Sequence, residues 1–116
     1  MPQTGLRGPY NLDNATIDAI VTRTSPGAYA LGKVDDNTFY VSYVGRSDDD
    51  IKSRLKDWVG KYPKFKFEYY DSPKAAFEKE CNLYHDFGEK EILDNDKHPQ
   101  RPDGTNWKCP KCNIFG

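Results

Sequence analysis

The sequence predicts an α+β fold of sandwich-like type, a small three-stranded antiparallel or mixed sheet flanked by helices. Three observations carry this. Residues 27–44 alternate with period two on either side of a turn-forming Asp35-Asp36-Asn37, as an antiparallel hairpin does. Two stretches, 51–59 and 73–87, place apolar residues at helical spacing. Between them, Phe65, Phe67 and Tyr69 alternate with Lys64, Lys66 and Glu68, the pattern of a half-buried strand. Packing helices on that sheet is the simplest way to cover its apolar positions.

In chain order, the opening dozen residues are rich in Pro and Gly and read as loop. Asn14 is a cap for a short helix with Ile17, Ile20 and Val21 on one face, ended by Ser25-Pro26-Gly27. The hairpin strands GAYALGKV and TFYVSYV follow. Ser47 or Asp48 then caps a helix whose Ile51, Leu55, Trp58 and Val59 form one stripe, closed by Gly60 and Pro63. After the third strand, Ser72-Pro73 opens a helix by an N-cap and a first-turn proline, and this helix runs to Gly88. The remainder is dominated by turn-formers and contains a cysteine pair. Three units are expected: residues 1–25 as loop and short helix, 26–88 as the core, and 89–116 as a segment packed on it.

A length of 116 residues suits one modest core. Aromatics at 14% help to fill it where aliphatics are sparse. No apolar run approaches the roughly 18–20 residues of a membrane span. The first residues lack the apolar stretch of a signal peptide, and three cysteines argue against a disulfide framework, so a cytoplasmic location is expected. Charge is segregated: residues 46–66 carry +3, residues 67–96 carry −6, and residues 97–116 return to +3. Basic segments flanking an acidic helix suit a polyanion partner and a bound cation.

Gly27-Ala28-Tyr29 and Tyr43-Val44-Gly45 sit on the two hairpin strands. Tyr43-Val44-Gly45 leads through the basic Arg46 and Ser47 into the helix bearing Arg54, and Glu80-Cys81-Asn82-Leu83 lies on the helix after the third strand. In this order, over residues 26–87, these features resemble the GIY-YIG nuclease family. The resemblance implies a metal-dependent endonuclease acting on DNA, with RNA not excluded. It implies catalytic roles for Tyr29, Tyr43, Arg46 and Arg54, and Glu80 as holder of Mg²⁺ or Mn²⁺. Tyr29 is the implied base and Tyr43 its partner, although the sequence leaves their division of labour open. The chemistry suits these residue types. A single carboxylate with waters is an ordinary Mg²⁺ site. An arginine fork fits two phosphate oxygens, and a tyrosine needs nearby cations before it can act as a base. The asparagine found beyond the metal-binding helix in many family members has no clean equivalent; Asn106 is the first choice and Asn95 the alternative.

Cys109-Pro110-Lys111-Cys112 has the spacing at which two thiolates grip one Zn²⁺. Cys81 and His85, at i and i+4, project from one helix face. Cys81, His85, Cys109 and Cys112 are therefore the expected structural zinc ligands, with His98 as a further candidate. A different class of function is a catalytically idle GIY-YIG-like module that binds nucleic acid and is stabilised by zinc.

Overall fold

The computed structural model describes residues 4–95, 98–102, 104–112 and 114. Residues 1–3 of the expected opening loop lie outside them. The fold is α+β, with four strands rather than three in one antiparallel sheet of order β1-β4-β2-β3. The strands are β1 (Arg7–Asn11), β2 (Gly27–Asp35), β3 (Thr38–Ser47) and β4 (Lys64–Tyr69). The additional strand is β1, which falls within the stretch expected to be loop and pairs with β4. The helices are α1 (Asn14–Ile20), α2 (Ile51–Lys56), α3 (Pro73–Asp86) and α4 (Glu89–Ile92). Among the described residues no helix is long and apolar enough to cross a membrane.

The hairpin forms as its pattern requires, but its loop is the two residues Asp36 and Asn37, both at positive φ (52° and 62°), while Asp35 is still paired. Positive φ at both central positions gives the primed turn whose twist matches the strands. The caps fall one or more residues from the expected ones. Asp13 caps α1 through Thr16 N, and Asp50 caps α2 through Lys52 N. Ser47 instead bonds the amides of Asp49 and Asp50, shaping the turn that leads into α2. Ser72 caps α3 with Pro73 behind it, as the sequence predicts.

β2 is central and buried on both faces over Gly27–Gly32. One face packs Tyr29 and Leu31 with Phe65, Phe67, Ile17, Ile51 and Leu55, so α1 and α2 cover it. On the other, Ala30 and Val44 meet Leu83 and Tyr84 of α3. The small side chains of Ala28 and Ala30 let α3 come close. β3 is the exposed edge of the sheet, and the chain after α4 covers it. Asp94 N donates to Ser42 O at 2.6 Å. Asn95 accepts from Val44 N at 3.0 Å and donates to Val44 O at 2.8 Å. An unpaired strand edge is thereby closed by a backbone amide and a side-chain amide.

Candidate active site and metal centre

The glycines of both half-motifs are explained by close approach. A Cβ on Gly45 would lie 2.4 Å from Tyr29 Oη, and one on Gly27 would lie 2.5 Å from Ile51 Cδ1 and 2.6 Å from Glu68 O. Gly45 faces Tyr29 across the β2–β3 ladder. The absent side chain thus leaves the space that the phenol fills.

Tyr29, Tyr43, Arg46, Arg54 and Glu80 line one cleft of about 410 Å³, together with Gly45, Asp48, Asp49 and Gln100. The cleft straddles the edge strand. Tyr29 and Tyr43 come from the α2 side of the sheet, while Arg46 meets Glu80 of α3 on the other. Arg54 reaches the cleft from the last turn of α2.

Arg46 is the hub. Its Nη1 donates to Glu80 Oε1 at 2.7 Å, its Nε to Asp48 Oδ1 at 2.8 Å, and its Nη2 to the Gln100 carbonyl at 2.7 Å. Its guanidinium lies over the Phe77 ring, 5.0 Å from the centroid. Burial lowers the Arg46 pKa, but Asp48 and Glu80 outweigh this and leave it above its ordinary value. Glu80 is 8% exposed. Burial pushes its carboxyl up to about 7, against the downward pull of Arg46. Arg46 only partly offsets the cost of ionising this carboxyl, so a further cation beside it would favour the ionised form.

Tyr29 is buried, and its oxygen accepts from Trp58 Nε1 at 2.9 Å. Burial, then Tyr43, hold its phenol well above the ordinary tyrosine value; the opposing effects of Trp58 and Arg54 are weaker. Among the protein's own cations, Arg54 lowers the Tyr29 phenol only weakly. Trp58 packs on Tyr43, with ring centroids 4.5 Å apart.

A second cleft of about 500 Å³ adjoins the first and shares Tyr43, Glu80 and Gln100 with it. Asn95 lies in its lining, but both ends of its side-chain amide are taken by Val44. Asn106, the first choice for the displaced asparagine, is exposed and lines neither cleft.

The last turn of α3 and the C-terminal segment together hold a His₂Cys₂ group. One ligand atom each from His85, His98, Cys109 and Cys112 lies within 4.8 Å of all the others, an arrangement that can bind a metal ion such as zinc. The expected set is corrected at one position: His98 takes the place of Cys81. Cys81 is buried with Phe77 and Cys109 in a small apolar cluster. Burial, then the neighbouring Cys109, push its thiol above the ordinary value. The sequence reading missed Asp48, Trp58 and the Gln100 carbonyl. It also missed Glu89, which lies beyond the helix break at Gly88 with a carboxylate oxygen 2.6 Å from His85 Nδ1.

The chain matches no family model, no curated protein and no solved structure in such comparisons.

Proposed function

We propose that this chain is a metal-dependent endonuclease of the GIY-YIG type that hydrolyses phosphodiester bonds in DNA. The observation that carries the reading is the convergence of Tyr29, Tyr43, Arg46, Arg54 and Glu80, drawn from two strands and two helices, on one cleft. Glu80 would hold a divalent cation here; it shares the lining with Asp48 and Asp49, and Arg46 pairs with both Glu80 and Asp48. A carboxylate site of this kind takes Mg²⁺ or Mn²⁺ with several waters. When bound, such an ion supplies charge stabilisation at the scissile phosphate and lowers the pKa of nearby water.

The chain's own residues supply the rest. Arg54, which has an exposed side chain on the rim, presents its fork to phosphate oxygens. Arg46 holds Glu80 in place and keeps positive charge beside it. Tyr29, whose oxygen accepts from Trp58 Nε1, can donate its phenol hydrogen to an attacking water. Tyr43 lines the same cleft and orients that water from the neighbouring strand. The His₂Cys₂ group is read as a structural zinc site.

The test is incubation of the protein with supercoiled and branched DNA in Mg²⁺ or Mn²⁺, with Glu80→Ala as control. Metal-dependent nicking that the control lacks supports the reading. DNA binding without cleavage in either protein replaces it with an idle binding module.

A further inference from the structure

From the geometry of the C-terminal segment, we infer that His85, His98, Cys109 and Cys112 bind one Zn²⁺ tetrahedrally, and that this ion fixes the backbone carbonyl that holds Arg46 in the cleft. The first part rests on placement: one ligand atom from each of the four residues lies within 4.8 Å of all the others. His98 Nδ1 lies 2.7 Å from the Pro99 carbonyl, and His85 Nδ1 lies 2.6 Å from a Glu89 carboxylate oxygen. These contacts leave Nε2 of each ring directed at the same point, as a metal-binding imidazole requires. The two Nε2 atoms face each other at 3.2 Å, and His98 Nε2 lies 3.4 Å from Cys112 Sγ. Cys109 Sγ lies within 4.8 Å of the same atoms, so four ligand atoms surround one point where an ion can sit.

Two of the ligand-to-ligand distances match those of a tetrahedral zinc site. With Zn–N of about 2.0–2.1 Å and Zn–S of about 2.3 Å, tetrahedral geometry sets N···N near 3.3 Å and N···S near 3.6 Å. The observed 3.2 and 3.4 Å agree. Partners outside the ligand set are also in place. The Nδ1 contacts to Pro99 and Glu89 set the ring orientations, as second partners of zinc-binding histidines do. Lys111 N donates to Cys109 Sγ at 3.4 Å, the backbone bond expected where a CxxC turn wraps its thiolates round an ion. Glu89 reaches His85 from a positive φ of 60°, a conformation seldom adopted by a residue with a side chain. The spacing H-x12-H-x10-C-x2-C then closes one loop of irregular chain on the end of α3.

The second part follows the chain from the ion to the cleft. His98 is two residues from Gln100, whose carbonyl receives Arg46 Nη2. Arg101 Nη1 donates to the Trp107 carbonyl at 2.9 Å, and the Trp107 ring packs on Phe77 at 5.7 Å, the ring beneath Arg46. The described residues from 98 to 112 contain no helix or strand. A crosslink at their two ends therefore stands in for secondary structure and holds the carbonyl in register with Arg46.

The experiment uses the full chain and no DNA, so its outcome is independent of the nuclease reading. Metal content is measured after purification and after reconstitution with Zn²⁺; Co²⁺ is substituted and its visible spectrum recorded; the Arg46 Nε–H resonance is followed by NMR as zinc is withdrawn by a chelator. One equivalent of Zn²⁺, a tetrahedral thiolate–Co²⁺ spectrum and a shift or loss of the Arg46 signal on chelation are expected. Cys81→Ser should leave stoichiometry and spectrum unchanged. Glu89→Gln should weaken Zn²⁺ binding roughly 10–100-fold while leaving all four ligands, which keeps the test open if His98→Ala fails to fold. Protein that takes up no Zn²⁺ or Co²⁺, or in which Cys81→Ser abolishes the spectrum, overturns the ligand assignment. An Arg46 signal indifferent to zinc overturns the coupling.

Discussion

Glu80 gives the structure a measurable pH signature. Its carboxyl is held at about 7 against an ordinary value of 4.5, chiefly by burial. A group whose folded pKa is raised binds its proton more tightly in the folded chain, so the folded state carries the extra proton between pH 4.5 and 7. The associated stability is complete below the unfolded value and is lost as pH rises through about 7. At about 1.4 kcal/mol per pKa unit, the loss is of the order of 3 kcal/mol. Glu80→Gln removes the titration while keeping an oxygen for Arg46, so wild type and variant should diverge across this range. Urea denaturation of both proteins at several pH values measures the difference. With a slope of about 1–2 kcal/mol/M, the midpoint of the wild type should fall by roughly 1.5–3 M relative to the variant. Saturating Mn²⁺ should reduce the divergence, because a cation favours the ionised carboxylate. Parallel pH profiles for the two proteins would refute the burial argument.

Two other substitutions test the frame of the cleft. Asn95→Ala leaves the amide and carbonyl of buried Val44 without their side-chain partners and should cost about 2–4 kcal/mol, read as a lowered thermal midpoint. Gly45→Ala drives a methyl into the Tyr29 ring and should cost about 1–3 kcal/mol, with altered Tyr29 chemical shifts and unchanged overall secondary structure by circular dichroism.

The parts of the fold legible in the sequence were those with strong periodicity. β4 and α3 each bury one face in a regular pattern, and Ser72-Pro73 marks the start of α3 chemically. The hairpin is marked by its turn residues, although β2 is buried on both faces. β1 was not legible: Arg7–Asn11 contains Gly8 and Pro9 and is largely exposed. Its strand conformation comes from pairing with β4 across more than fifty residues, a tertiary effect that local pattern does not encode. α2 ends at Lys56, short of the expected Gly60, and Trp58 turns back to Tyr29 from the turn that follows. Among the site residues, those on regular elements could be placed together from their order alone. Asn106 and the fourth zinc ligand could not, because the chain beyond α4 follows side-chain and carbonyl contacts instead of a repeat. Helical spacing put Cys81 on the face of His85, but the thiol turns into the Phe77 cluster while His98 comes in from the irregular segment.

The most direct test of the proposed activity is the single-turnover rate of DNA cleavage in Mg²⁺ or Mn²⁺ for wild type and Arg54→Ala. Arg54 lies on an exposed helix face, so its removal should leave the fold intact. Loss of one preorganised charge at a phosphoryl centre should slow cleavage by about 10²–10³-fold. Cleavage by Arg54→Ala within a few-fold of wild type, or no metal-dependent cleavage by the folded wild type, would contradict the account.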